Sequence, residues 1–245
     1  MLTKYSKSTF FKYPFAMMQF AAGNKMPLHH AMLMDSARKL LGNRFNEGEA
    51  KIYIDEITNK DFIRMNEVQG FKVVGNQPTH FFGKFLYFIL RCLKPEIVVE
   101  SGVSHGASSW NILNALHKNK KGTLYSIDLP DKDGIRLFNV TNFKKEIGWV
   151  VPDVLRDRWQ LQLGDAKKLL PELLRKLGAI DVFFHDSDHS YDFMTFEFNE
   201  AYPFLKNGGL VISDDVHLHG AFEEFVDQKN MIAIKFNAKG GAALK

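Results

Sequence analysis

Residues 97–109 have the sequence Ile-Val-Val-Glu-Ser-Gly-Val-Ser-His-Gly-Ala-Ser-Ser, and this stretch decides the fold class. The short apolar run that begins at Ile97 is typical of a buried strand, and Gly102 and Gly106 favour a tight turn that leads into a helix. Glycine adopts positive φ angles, and its missing side chain lets a ligand approach the backbone. The N–H groups of the turn and of the helix start point into one crevice. We therefore predict a strand, a ligand-binding turn and a helix.

After this unit the sequence alternates regularly between two patterns. Short apolar runs predict strands at Ile97–Glu100, Thr123–Asp128, Trp159–Leu163, Ile180–His185, Leu210–Ser213 and Met231–Phe236. Amphipathic runs predict helices at Ser108–Lys118, Ala166–Leu177, Tyr191–Leu205 and Ala221–Lys229, and Lys206–Gly209 predicts a turn. Such alternation indicates βαβ units with right-handed crossovers, which place helices on both faces of a parallel sheet. The predicted fold class is α/β.

The first 77 residues lack this alternation. Pro27–Leu41 predicts a helix that ends at Gly42, and Ile52, Ile54 and Ile57 indicate a second short element. The region has too little periodic apolar sequence to build a core of its own. We interpret residues 1–77 as a helical and irregular N-terminal cap that is not an independent domain, and residues 78–245 as the ligand-binding domain.

Three further stretches give expectations about this arrangement. Pro78–Leu93 predicts a helix that leads into the domain and is ended by Pro95. The stretch Leu129–Arg158 is longer than a plain connection, so we expect a helix around Phe138–Ile147 and a mobile loop that forms a substrate wall. The aromatic residues within 1–20 suggest contact with a second subunit, which makes a homo-oligomer a hypothesis.

The composition excludes several classes of protein. Of the 245 residues, 45% are hydrophobic and 24% charged, which is the balance of an ordinary globular protein. The net charge of +4 is spread along the chain, so no basic stripe predicts a nucleic-acid partner. The single cysteine, Cys92, permits neither an internal disulfide nor a zinc cluster and fits a reducing, cytoplasmic location. No apolar run predicts a membrane span or a signal peptide.

The glycine spacing distinguishes between nucleotide ligands. The pattern is Glu-x-Gly-x-x-x-Gly, with Glu100 in first place, and differs from the Gly-x-Gly-x-x-Gly pattern that cradles a dinucleotide pyrophosphate. Asp128 ends the second predicted strand, where a carboxylate can accept hydrogen bonds from both hydroxyls of a ribose. The spacing therefore disfavours a dinucleotide ligand.

These segments resemble the successive cofactor motifs of class I S-adenosylmethionine (SAM)-dependent methyltransferases. The resemblance is carried by Glu100–Gly106, Tyr125–Asp128 and Gly164–Ala166 and covers about residues 90–245. It implies a Rossmann-like, mostly parallel seven-stranded sheet with SAM at the carboxyl ends of its strands. The glycine turn would hold the methionyl part, Asp128 the ribose, and Asp165 and Ala166 would lie beside adenine. The cofactor-binding residues expected are Glu100, Gly102, Ser104, Gly106, Asp128, Leu129, Gly164, Asp165, Ala166 and Asp186.

A second group of acidic residues follows the fourth and fifth predicted strands. Asp186 comes directly after the strand that ends at His185, and Asp214 and Asp215 come after the strand that ends at Ser213. Neighbouring strands lie roughly 5 Å apart, so these carboxylates are expected to converge. Carboxylates gathered at one site repel each other unless a cation compensates them, and Mg²⁺ prefers such ligands. The sequence therefore predicts a magnesium site formed by Asp186, Asp214 and Asp215.

The same segments resemble one branch of the methyltransferase superfamily, which includes the macrocin- and mycinamicin-type sugar O-methyltransferases and cephalosporin-hydroxylase-like proteins. The resemblance implies that Asp186 takes part in catalysis and metal binding and that His189, three positions later, is the base. It implies transfer of a methyl group to a hydroxyl of a small-molecule acceptor, a sugar or another polyol. A third metal ligand of that branch is not identified in this sequence.

Plainer roles are also typical of some of these residues. Asp188 and Ser190 fit the cap of the following helix. His217 and His219 fit a loop or a helix end. His185 is expected to face the sheet environment or the edge of the cofactor.

Three other functions stay open at this point. An N-methyltransferase or a protein or RNA methyltransferase would share the fold, although residues 185–188 lack the Asn/Asp-Pro-Pro-Tyr/Phe motif of many amino-directed enzymes. A non-catalytic SAM-binding module is the second alternative, disfavoured by the intact Gly102, Asp128, Asp186 and His189. An NAD-dependent oxidoreductase is the third, disfavoured by the glycine spacing. Fold alone does not choose among them.

Overall fold

The structure is a computed structural model that describes residues 26–59, 81–130, 146–236 and 239–245. Its helices are α1 (Met26–Leu41), α2 (Glu47–Thr58), α3 (Phe81–Leu93), α4 (Ala107–Asn119), α5 (Asp153–Arg156), α6 (Ala166–Leu177), α7 (Tyr191–Ala201) and α8 (Ala221–Lys229). Its strands are β1 (Ile97–Ser101), β2 (Thr123–Asp128), β3 (Trp159–Leu163), β4 (Ile180–His185), β5 (Leu205–Ser213), β6 (Ile232–Phe236) and β7 (Gly240–Leu244). Turns of 3₁₀ helix lie at Gly42–Arg44 and Tyr202–Phe204.

The strands form one seven-stranded sheet in the order β3-β2-β1-β4-β5-β7-β6. Strands β1 to β5 pair in parallel, whereas β7 lies antiparallel between β5 and β6. The predicted α/β class and the mostly parallel sheet of the Rossmann-like methyltransferase fold are therefore confirmed. The carboxyl ends of β1, β2 and β4 lie side by side at the centre of the sheet, which is where open α/β sheets bind ligands.

Alternate residues of the central strands enter two separate cores. Val98 and Phe184 belong to the core between the sheet and the helices α1 to α4. Val99 and Phe183 belong to the core on the other face, which is covered by α6, α7 and α8. Successive side chains of a strand point to opposite faces of the sheet. A shift of one residue in strand register would therefore move the residues of each core to the other face. This periodicity fixes which face each polar residue at a strand end can reach.

The helices of the N-terminal cap contribute to the first of these cores. Leu33, Leu40 and Ala37 of α1 and Ala50 and Ile57 of α2 are buried with the apolar residues of α3. Both helices therefore cover the helical layer of the α/β unit within the described residues. The division of the chain at residue 78 stays a prediction because residues 60–80 are outside those described.

An ion pair joins α2 to α3. Arg91 donates two hydrogen bonds to the Glu56 carboxylate, from Nη2 at 2.8 Å and from Nε at 2.9 Å. The Tyr87 hydroxyl donates to the same carboxylate at 2.7 Å. The Arg91 guanidinium also lies 4.2 Å from the ring centre of Tyr53. A bidentate arginine pair of this kind adds geometric specificity to the apolar packing.

The structure corrects several predicted boundaries. The helix predicted over Tyr191–Leu205 ends at Ala201, and the predicted turn Lys206–Gly209 is part of β5. Ile52, Ile54 and Ile57 belong to a helix of 12 residues rather than to a short element. Strand β7 was missed because its sequence, Gly-Gly-Ala-Ala-Leu, is poor in the residues that favour strands.

Some expectations fall on residues that the structure does not describe. The predicted helix around Phe138–Ile147 and the loop beside it lie largely within residues 131–145, and the aromatic residues 1–20 also lie outside the described ranges. The predicted helix Pro78–Leu93 is described from Phe81 onwards. None of the described helices has both the length and the apolar character that a membrane crossing requires.

Candidate functional site

A cavity of about 470 Å³ lies at the carboxyl ends of the central strands. This volume falls within the range of about 300–1,000 Å³ that is typical of small-molecule sites. The described residues that line it are Ser101, Gly102, Val103, Ser104, Ile127, Asp128, Leu129, Ile147, Asp165, Ala166, Asp186, Ser187, Asp188 and Phe193. Four of them are aspartates, and none of them is a lysine or an arginine. The cavity therefore presents negative charge to its ligand.

The glycine turn after β1 needs its glycines because other parts of the chain come close. Gly102 has a φ of +89°, and a Cβ built on it would lie 2.0 Å from the carbonyl oxygen of Asp186. Gly106 has a φ of +97°, and its Cβ would lie 2.9 Å from Cα of Gly148. The turn thus packs directly on the segment after β4 and on the segment before α5. Gly102 lines the cavity, whereas Gly106 is not among the lining residues.

Asp128 links the ends of β1 and β2. One carboxylate oxygen accepts hydrogen bonds from the backbone N–H groups of Val103 at 3.0 Å and Ser104 at 2.6 Å. The other accepts from the N–H of Leu129 at 2.7 Å. Carboxylates have further lone pairs for hydroxyl donors. Asp128 therefore holds the glycine turn in place and also lines the cavity beside the exposed Leu129.

Glu100 lies outside the cavity and is completely buried. One of its oxygens accepts hydrogen bonds from the hydroxyls of Ser109 at 2.6 Å and Ser126 at 2.7 Å. Burial raises the pKa of Glu100 to about 7, and the serine hydroxyls partly offset this rise. Glu100 is thus placed to connect β1, β2 and α4 rather than to contact a ligand. Its position in the strand explains this, because Glu100 shares its face with Val98.

The third predicted cofactor segment approaches the cavity from β3. Asp165 is the N-cap of α6 and accepts a hydrogen bond from the Lys167 N–H at 2.9 Å. Asp165 and Ala166 line the cavity, and Gly164 is not among the lining residues. The N–H of Gly164 donates to the carbonyl of Asp128 at 2.8 Å. The structure therefore brings the second and third predicted segments together.

The acidic residues after β4 and β5 also lie together. His189 Nε2 is 3.4 Å from an Asp215 carboxylate oxygen and 4.0 Å from one of Asp186. Desolvation raises the pKa of Asp186 well above its usual value, and the negative charge of Asp214 adds to this effect. Burial lowers the pKa of His189, with a further contribution from His185. The imidazole of His189 is therefore neutral at neutral pH and stands beside carboxylates.

The backbone at His189 is held by a second histidine. His219 Nε2 lies 2.7 Å from the carbonyl oxygen of His189, and the N–H of Ala221 lies 3.4 Å from the other ring nitrogen of His219. In the tautomer that satisfies both contacts, Nε2 carries the proton and donates a hydrogen bond to the carbonyl oxygen of His189. The ring of His219 therefore connects the start of α8 to the segment after β4.

The central part of the chain is similar to a known protein family. Residues 99–216 match the family model described as "Methyltransferase domain". The segment spans β1 to the turn after β5 and includes the glycine turn, Asp128 and the acidic residues. This part of the chain is similar to a methyltransferase domain. No curated protein sequence matches the chain.

Solved structures show the same fold at low sequence identity. A methyltransferase of Podospora anserina with bound S-adenosylhomocysteine (SAH) is 14% identical, with a TM-score of 0.54 over 82% of this chain and 97% of that one. An O-methyltransferase of Bacillus cereus in complex with SAH is 17% identical, with a TM-score of 0.52 over 74% and 89%. A methyltransferase of Geobacter sulfurreducens is 20% identical, with a TM-score of 0.51 over 67% and 78%. These similarities establish the methyltransferase fold.

The α/β unit contains a buried polar cluster that the sequence did not predict. Glu197 of α7 is fully buried and lies 2.6 Å from His185 Nδ1. It also accepts hydrogen bonds from the hydroxyls of Ser101 and, at 3.1 Å, Ser187. This cluster joins β1, β4 and α7 beneath the cavity floor. The sequence contained one sign of this cluster, because Glu197 lies on the apolar face of α7, next to the buried Phe198.

The predicted magnesium site does not fit the described geometry. Among the residues that the structure describes, no group of three or more His, Cys, Asp or Glu side chains is arranged to hold a metal ion. Asp215 instead has Lys239 Nζ and His217 Nδ1 each at 3.5 Å from one carboxylate oxygen, and His189 at the other. The expected convergence of Asp186 and Asp215 is present, but nitrogen groups surround Asp215.

Proposed function

We propose that this protein transfers a methyl group from SAM to a hydroxyl of a small-molecule acceptor. The observation that carries the proposal is the cavity with four aspartates and no described basic residue at the strand ends. A cationic cofactor such as SAM suits this charge, whereas the pyrophosphate of a dinucleotide would be repelled. The methyltransferase fold and the family match agree with this choice.

Different residues of the cavity would bind different parts of the cofactor. Gly102 and Ser104 would hold the methionyl part, Asp128 and Leu129 the ribose, and Asp165 and Ala166 the adenine. When bound, SAM supplies an electrophilic methyl group on a sulfonium sulfur, and its transfer to an oxygen leaves a methyl ether and SAH. Asp186, whose charge is disfavoured by burial and by the neighbouring acids, would be stabilised by the positive charge nearby.

His189 would remove the proton of the acceptor hydroxyl. Its imidazole is neutral because burial lowers its pKa, so a ring nitrogen can accept a proton. Asp215 and Asp186, at 3.4 and 4.0 Å, would stabilise the imidazolium that results. A base of this kind contributes most when its pKa lies near the working pH. His219 fixes the backbone of His189 and thereby its position relative to the cavity.

The acceptor proposed is a sugar or another polyol, because of the resemblance to sugar O-methyltransferases. No magnesium step forms part of this mechanism, because the described residues do not form a metal site. A cytoplasmic location and the absence of a nucleic-acid partner stay predictions from composition. Formation of a homo-oligomer stays a hypothesis.

The experiment that tests the proposal is a calorimetric titration of SAH into the full-length protein. We expect micromolar binding, a free energy of about −8 kcal/mol. Asp128→Ala should abolish it, because this carboxylate both lines the cavity and holds the glycine turn. Asp227→Ala, on an exposed part of α8, removes the same charge and should bind as the wild type does. Absence of SAH binding by the wild type would overturn the proposed function.

A further inference from the structure

The acidic turn after β5, which contains Asp214 and Asp215, has a positively charged side chain beside it. Asp215 has a left-handed backbone, with a φ of 49°, and its side chain is 20% exposed. Lys239 Nζ lies 3.5 Å from its Oδ1, whereas His189 contacts the other carboxylate oxygen, Oδ2. Lys239 therefore stands where a cation would be needed to compensate the carboxylates.

The fold places Lys239 beside this turn. Residue 239 directly precedes β7, and β7 pairs antiparallel with β5 so that Gly241 lies opposite Ser213. The N–H of Val216 donates to the carbonyl oxygen of Lys239 at 2.7 Å. The backbone of Lys239 is thus tied to the acidic turn itself, one residue beyond Asp215. Its ammonium reaches Asp215 because of this pairing, although the side chain is largely exposed.

An ammonium and a magnesium ion would compete for the same carboxylate. Mg²⁺ requires near-octahedral oxygen ligands at about 2.0–2.1 Å and keeps several waters, whereas the groups beside Asp215 are nitrogens of His189, His217 and Lys239. A lysine ammonium is a compact point charge with three donors. It can compensate a carboxylate and still donate a hydrogen bond to a hydroxyl oxygen nearby.

We propose that Lys239 provides the positive charge of the acidic turn in place of a divalent cation, so that the acceptor hydroxyl binds beside an ammonium. The part that concerns the acceptor rests on the proposed function. The replacement of a metal ion by Lys239 does not, and it is the part that can be tested without knowing the acceptor.

The test is the binding of Mn²⁺, followed by electron paramagnetic resonance, to the full-length protein. The wild type should show no saturable binding in the millimolar range. Lys239→Met should show saturable Mn²⁺ binding in the millimolar range, because removal of a nearby positive charge strengthens the binding of a divalent ion by on the order of tenfold. Lys239→Arg should behave like the wild type. Lys51→Met, on the exposed face of α2, changes the net charge equally and should not gain affinity.

Two outcomes would overturn the inference. One is saturable Mn²⁺ binding by the wild type that disappears in Asp215→Asn, since this would show a metal site at the turn. The other is a Lys239→Met protein, folded by circular dichroism, with the Mn²⁺ affinity of the wild type. Calorimetry with SAH on the same samples, with and without a chelator, separates this result from a failure of the proposed function.

Discussion

Glu100 shows at the scale of one residue how burial changes an acidic group. Its carboxyl is enclosed between β1, β2 and α4, and burial raises its pKa from 4.5 to about 7. The folded state therefore holds this proton more tightly than the unfolded state does. The stabilisation is complete below the unfolded pKa, near 4.5, and is lost as the pH rises through about 7.

We predict that Glu100→Gln removes this pH dependence. Glutamine has the shape of the neutral acid and can keep the hydrogen bonds from Ser109 and Ser126. Between about pH 5 and pH 8, the variant should gain stability relative to the wild type by up to about 3 kcal/mol. Urea unfolding at the two pH values measures this difference. A variant whose stability changes with pH as the wild type does would contradict it, and Glu172→Gln on exposed α6 controls for loss of a carboxyl.

At the scale of elements, the contact between α2 and α3 depends on one nearly buried ion pair. Arg91 is 8% exposed, and its guanidinium is compensated by Glu56 and also donates to the side chain of Asn119. Removal of one partner leaves the other charge uncompensated in a region with little water, which costs much more than the pair itself contributes.

We predict that Glu56→Ala lowers the free energy of unfolding by about 3 kcal/mol. Glu47→Ala at the exposed start of the same helix should have a much smaller effect, because solvent screens its pairs with Arg38 and Lys51. Chemical denaturation of the two variants gives the comparison. If Arg91→Met combined with Glu56→Leu is no more stable than Glu56→Ala alone, the uncompensated charge is not the cause.

At the scale of the whole molecule, the cap helices and the α/β unit share one core. Leu33 and Leu40 of α1 and Ile57 of α2 are at most 1% exposed. One face of α3 packs against the sheet, and another face packs against α1 and α2. Loss of α1 and α2 would expose apolar surface on α3 and leave Arg91 without Glu56.

We predict that residues 78–245 expressed alone do not form a cooperatively folded protein. They should lack a sharp thermal transition and bind a hydrophobic dye, as compact states with exposed cores do. Residues 26–245, which retain both helices, should unfold in one transition. A cooperative transition and SAH binding by residues 78–245 would show that the cap is dispensable and that the domain folds alone.

The sequence predicted the fold well because its signals are local. The alternation of apolar runs and amphipathic segments requires no knowledge of distant contacts, and it located β1 to β4 and α6 within a residue or two. Strand β7 was missed because Gly240–Leu244 is held in the sheet by pairing with β5 and β6 and not by its own propensity. The predicted turn 206–209 failed for a similar reason, since pairing with β4 extends β5 through it.

The sequence by itself determined which strand ends carry acidic groups. Asp128, Asp165 and Asp186 follow or end parallel strands, and parallel strands end at one edge, so their approach to one cavity follows from topology. The tertiary structure decided which groups face that cavity. The side chain of Glu100 points into the core because of strand periodicity, and Asp215 is contacted by Lys239, which directly precedes β7. Side-chain partners depend on distances between segments that no local pattern contains.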